Sequence, residues 1–203
     1  MIVCLLSAAV STCFPQEPDT LFFDDFSEPG SNPWVYGPLW TFYGESMRMY
    51  DQQGTSSGET LFASDTLVSP PVCIPDGMDS LLVSVPMSLY AKCTTINIGS
   101  MYNLERISVI NGTGTHDIWE FYATDVSYLY VSWEDTVDMP VPASAWVPSD
   151  SLRVRFIGES YCHPLYWDGY LEIEWILDSV ALLGFGCQEL TNSTWGSIKT
   201  LLQ

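Results

Sequence analysis

The chain has 203 residues, 47% apolar and 14% aromatic, which is enough to bury one core. It sets 25 Asp plus Glu against 6 Lys plus Arg, a formal net charge of −19. So few cations leave no basis for nucleic-acid binding or for a basic amphipathic membrane anchor, and no run approaches the roughly 18 apolar residues of a membrane-spanning helix.

In chain order, residues 1–12 form a short apolar run ending in small residues, as the core and cleavage zone of a secretory signal do, although no Lys or Arg precedes it. Residues 1–16 are therefore expected to be a signal peptide and the chain to be secreted or held at the cell surface. Val10 to Cys13 also has a faint likeness to a lipid-attachment site, with Thr12 a poor fit. Pro15, Glu17, Pro18 and Asp19 then read as a linker. Strands are predicted at 21–26, 34–43, 46–50, 61–69, 80–90, 104–110, 118–123 and 126–133, with 51–59 a Gly/Ser/Gln loop and Asn111-Gly112 a tight hairpin. The clearest stretch is 151–186. Leu152, Val154 and Phe156 alternate with Arg153, Arg155 and Ile157; an aromatic loop follows, and 170–183 forms a second long strand. Residues 188–203 are expected to hold a short helix capped by Ser193 or Thr194. Turn signals about every ten residues with almost no helical periodicity predict one all-β sandwich over 17–187.

The order of pieces, "LFFDDF" at 21–26, then "LRVRF" at 152–156, then "ILDSVAL" at 176–182, resembles the opening and closing strands of secreted bacterial jelly-roll sandwiches of the MAM-like and carbohydrate-binding-module kind. The resemblance implies a jelly-roll fold of concanavalin-like or galactose-binding-like type. It also implies a non-catalytic module for carbohydrate or a cell-surface protein, and a structural calcium held by Asp24 or Asp25 with Asp178 and Glu28. The tail "STWGSIKTLL" resembles the ends of exported proteins of poorly cultivated bacteria.

Four cysteines remain once Cys4 and Cys13 leave with the signal. An even count in an exported chain fits two disulfides, for which four cysteines allow three connectivities; Cys73 and Cys93 bracket one strand and Cys162 and Cys187 another, so the local pairings 73–93 and 162–187 are the ones expected. A zinc site has no C-x-x-C, and His116 and His163 are far apart in sequence. Seven of the eight tryptophans, Trp34, Trp40, Trp119, Trp133, Trp146, Trp167 and Trp175, lie within the sandwich segment and are too many to expose, so most belong to the core. Tyr161, Tyr166 and Trp167, in the aromatic loop, are the rings expected to meet a sugar. Glu172 and Glu174 sit at alternate positions like the carboxylates of a laminarinase-like glycoside hydrolase, but Ile176 occupies the third place, so no catalytic residue is assigned. A purely structural appendage is the remaining alternative.

Overall fold

Alternation of apolar and polar residues carries most of the described residues into antiparallel strands. The computed structural model describes residues 14–15, 17–56, 58–95, 99–164 and 168–188. Its strands are β1 (Phe14–Pro15), β2 (Asp19–Asp24), β3 (Val35–Tyr36), β4 (Trp40–Phe42), β5 (Met47–Thr55), β6 (Leu61–Val68) and β7 (Val72–Cys73), then β8 (Met78–Thr95), β9 (Gly99–Asn111), β10 (Gly114–Asp125), β11 (Tyr128–Val141), β12 (Ser151–Pro164), β13 (Gly169–Leu177) and β14 (Val180–Gln188). One 3-10 turn at Ala143–Ala145 is the sole helical element among the described residues.

Two sheets result. The first has eight strands: β8 carries β11 along one edge, while β13 and β14 lie end to end along the other, the amide of Asp178 at their seam donating to the carbonyl of Pro86. β5 and β4 extend the sheet beyond β13, and β2 and β1 extend it beyond β14. The second sheet runs β10-β9-β12-β6-β3, with β7 on β12.

The core lies between them. Trp175 of β13, fully buried, packs against Trp40 at 5.5 Å and Phe156 at 5.9 Å between ring centroids, and its Nε1 donates to Met87 Sδ at 3.3 Å. Truncating such a ring leaves a cavity and costs about 3–5 kcal/mol. Gly158 of β12 makes room for this group, since a Cβ there would stand 2.5 Å from Met49 Sδ and 3.5 Å from Trp175 Cε3. Trp34 and Trp146 are also buried, and Trp119 and Trp133, which meet each other edge to face at 5.9 Å, pack against the core, so six of those seven indoles serve packing.

The two long strands expected over 151–186 are β12 and β13–β14, but they belong to different sheets. β5 extends to Thr55, through residues read as loop, because β13 pairs with all of it: Tyr170 opposes Gly54 and Glu172 opposes Gln52. Phe14 and Pro15, inside the stretch assigned to the signal, pair with Gln188 and Cys187. The remaining residues of 1–16 and the C-terminal helix expected within 188–203 lie outside the described residues, Gln188 excepted.

Both expected disulfides are overturned. Cys73, exposed, and Cys93 and Cys162, buried, are free thiols. Cys73 opposes Ser151 at the start of β12, whereas Cys93 lies beside the end of β12, where Cys162 sits. That is roughly 35 Å of strand, at about 3.3 Å per residue. Cys187 belongs to the Met78 end of β8 and Cys162 to the Thr94 end. A disulfide needs Cα atoms within about 7 Å.

Candidate functional site

The outward face of the first sheet is organised by the same alternation that builds the core. Leu171, Ile173 and Trp175 of β13, Leu89, Ala91 and Cys93 of β8, Met47 and Met49 of β5, and Leu129 and Val131 of β11 point inward. The residues between them must then point out, and pairing sets them in rows across four strands. One row is Tyr130, Lys92, Glu172, Gln52; the next is Ser132, Tyr90, Glu174, Tyr50. Flanking rows bring Tyr128, Thr94 and Tyr170 on one side and Glu134, Ser88, Ile176 and Arg48 on the other.

These side chains form a connected lattice. Gln52 Nε2 donates to the Tyr170 hydroxyl at 2.8 Å, which donates to Glu172 Oε2 at 2.7 Å; the Tyr90 hydroxyl reaches the same oxygen at 3.5 Å. The Tyr50 hydroxyl donates to Gln52 Oε1 at 3.1 Å. Arg48 pairs with Glu174 at 2.7 Å while its guanidinium lies over the Tyr43 and Tyr50 rings at 4.5 and 4.3 Å, and the Lys92 ammonium is 5.5 Å from the Tyr170 centroid. Tyr90 meets Tyr130 edge to face at 5.8 Å, and Tyr130 lies parallel to Tyr128 at 6.5 Å. The Glu172 hydrogen bond holds the Tyr170 phenol above its ordinary pKa; burial, then the Glu172 charge, raises Tyr90. A depression of about 250 Å³ opens among Ser88, Tyr90, Ser132, Glu134 and Glu174. Chemically the face offers ring surfaces for C–H groups and fixed donors and acceptors for hydroxyls.

The residues singled out from the sequence fall elsewhere. Tyr161 lies inside β12 rather than in a loop, on the outward face of the second sheet, stacked on Tyr102 at 5.2 Å and 12°, with Tyr122 6.0 Å beyond Tyr102. Tyr166 and Trp167 lie outside the described residues. Asp24, Asp25 and Asp178 are not gathered: among the described residues no three His, Cys, Asp or Glu side chains cluster as metal ligands. Buried Asp24 accepts from the Phe26 amide at 2.8 Å, Asn32 Nδ2 at 2.9 Å and Trp34 Nε1 at 2.7 Å, pinning the turn that follows β2, in which Phe26 adopts a left-handed φ of 56°. Exposed Asp25 bonds Ser27, and Asp178 accepts from Ser46. Glu172 and Glu174 share one face as a regular strand requires, and each is engaged, by Tyr170 and by Arg48.

No protein-family model matches the sequence, and no curated protein matches it. Among solved structures, the chain is similar to TmCBM61, determined in complex with β-1,4-galactotriose, with 13% identity and a TM-score of 0.37 over 81% of this chain and 97% of that one. It is also similar to chains of infectious bursal disease virus, Gt strain (9% identity, TM-score 0.23, 75% of this chain and 47% of that one) and Gx strain (8%, 0.20, 76% and 47%). Likeness at these scores establishes neither a shared ligand nor a shared site. Among the described residues no helix is long and apolar enough to cross a membrane.

Proposed function

We propose that the chain is a non-catalytic, exported carbohydrate-binding module of jelly-roll type whose ligand lies across the outward face of the first sheet. The observation that carries this reading is the lattice of Tyr50, Tyr90, Tyr130 and Tyr170 interleaved with Gln52, Glu172, Glu174, Arg48 and Lys92. Apolar ring faces alternate there with oriented polar groups over four strands. A ligand of many hydroxyls and C–H faces is complementary to it, and a neutral glycan suits it better than an anionic one, since the chain carries −19 and Glu134, Glu172 and Glu174 all point outward.

The test is a glycan array followed by calorimetry on the strongest hit. Tyr90→Ala and Tyr130→Ala should each weaken association about 10- to 100-fold with the fold intact, while Tyr102→Ala on the other sheet leaves it unchanged. Loss of affinity from Tyr102→Ala alone would move the site to the second sheet.

The glycoside hydrolase reading has one observation in its favour, the shared face of Glu172 and Glu174. Against it, both carboxylates are held by neighbours and the next outward position is Ile176. No reducing sugar is expected from neutral polysaccharides; turnover abolished by Glu172→Gln would replace the binding reading with catalysis.

A further inference from the structure

Cys93 and Cys162 belong to different sheets, yet the fold brings them to a corner where strand ends of both sheets meet. β8 ends and β9 begins there, as do β12 and β13, with Thr95 paired to Gly169 and Gly99 to Pro164, and the turn from β10 to β11 spans the gap, its Ser127 and Val126 carbonyls accepting from the Thr95 and Gly99 amides. The approach is close. A Cβ on Gly169 would stand 2.8 Å from Pro164 Cγ, and one on Gly99 would stand 3.2 Å from Thr95 Cγ2. Each contact joins one sheet to the other.

Just inside this corner both thiols point into the core and are fully buried. The Cys162 thiol crosses the interior and donates to the carbonyl of Thr94, the residue that follows Cys93, at 3.7 Å. In return Cys93 Sγ lies 3.5 Å from the hydroxyl of Ser160, two residues before Cys162 on the same inward face of β12. Each sulfur therefore touches the immediate neighbourhood of the other. Burial, and then the nearby Cys93, push the Cys162 thiol up to about 11, and burial raises Cys93 as well. Once the sandwich has closed, neither sulfur is readily ionised and neither is reachable from solvent.

We propose that Cys93 and Cys162 are joined as an intersheet disulfide when the chain folds in the presence of a disulfide oxidant. The thiolate of one cysteine attacks a small-molecule or protein disulfide while the corner is still open, forming a mixed disulfide and expelling one thiolate. The second cysteine's thiolate attacks the protein sulfur of that mixed disulfide, expelling the other. The two cysteines lose two protons and two electrons in all, and the co-reactant disulfide becomes two thiols. Because the attacking species is the thiolate, the link forms during folding and is then sealed by burial.

The full chain is folded once in glutathione redox buffer and once in reductant, then alkylated under denaturing conditions and mapped by mass. The expected result is a linked pair of peptides carrying Cys93 and Cys162 in the first sample only, and a Tm higher by roughly 5–15 °C than in the reduced sample. Cys73→Ser should retain the link. Cys93→Ala and Cys162→Ala should each abolish the redox dependence of Tm. If either variant fails to fold, the peptide map of the unsubstituted chain decides alone. Alkylation of both Cys93 and Cys162 after folding in the redox buffer, or linkage of either to a different cysteine, overturns the proposal.

Discussion

Both sheets set polar groups outward, the second through Arg106 paired with Glu120 and Asp117, and they differ in what they turn inward. The first turns an apolar surface inward and sets its Tyr, Glu, Gln, Arg and Lys outward in one hydrogen-bonded lattice. The second turns Asn103, Glu105 and Ser160 inward, each fully buried, and outward it carries a row of rings in which Tyr161 stacks on Tyr102 and on His163, with Tyr122 tilted against Tyr102. Polar groups in water keep their hydrogen-bonding options for a ligand; polar groups in a core must be satisfied there or cost stability. The inward set is only partly satisfied: Asn103 Nδ2 donates to Glu105 Oε1 at 2.6 Å, while Glu105 Oε2 and Asn103 Oδ1 have no partner. One sheet thus presents recognition chemistry and the other carries a titratable liability.

The largest effect expected from that contrast is on stability against pH. Burial raises the Glu105 carboxyl from 4.5 to about 8 against the lowering hydrogen bond from Asn103. The folded chain therefore keeps a proton that the unfolded chain releases. This stabilisation is complete below about pH 4.5, declines as pH rises and is exhausted near pH 8, a loss on the order of 5 kcal/mol. Urea unfolding across that window should show the slope, and Glu105→Gln should flatten it; an unchanged slope would locate the titration in another group. Next comes packing. Gly158→Ala on the inward face, aimed at buried Met49, should cost about 1–3 kcal/mol, whereas Gly54→Ala, with only Gly169 O at 3.8 Å, should stay within about 0.5 kcal/mol. Equal costs in thermal melts would contradict the difference in packing between the two surfaces.

Smaller effects probe the lattice itself. Glu172→Gln replaces the carboxylate that raises the Tyr170 phenol and contributes to raising Tyr90 by a neutral amide, so alkaline absorbance titration should find the tyrosines ionising at lower pH. The same titration of Tyr161→Phe should leave that shift unaltered. Arg48→Met breaks the pair with Glu174 and the contacts over Tyr43 and Tyr50 on a half-exposed surface, worth roughly 0.2–1 kcal/mol by denaturant midpoint. A larger loss would mean that the lattice supports the fold as well as a ligand.

Sandwich architecture was legible because most inward positions are apolar: the alternation at 152–157 and 170–177 maps directly onto β12 and β13. The segment 158–164 read as a loop for the converse reason. Its inward residues Gly158, Ser160 and Cys162 are small or polar, so the strand that contains Tyr161 shows no apolar period. The binding face was hidden differently. Glu172 and Glu174 stood out on one strand, but their partners Tyr90, Lys92, Tyr50 and Gln52 come from two other strands, and only the register aligns them. Bracketing cysteines by nearness in sequence failed because β12 and β13 part into different sheets, leaving Cys162 beside Cys93.

The shared edge of β8 has a consequence for the order of folding. β11 follows β8 within the middle of the chain, but the opposite edge of β8 is completed only by β13 and β14, the last strands described. As the chain is made from its N-terminus, one side of its longest strand stays open until residues 169–188 exist. Closure of the first sheet is therefore a late, long-range event of the kind that makes β-rich chains slow to fold. Truncation before Gly169 should leave an aggregation-prone species rather than a smaller folded domain.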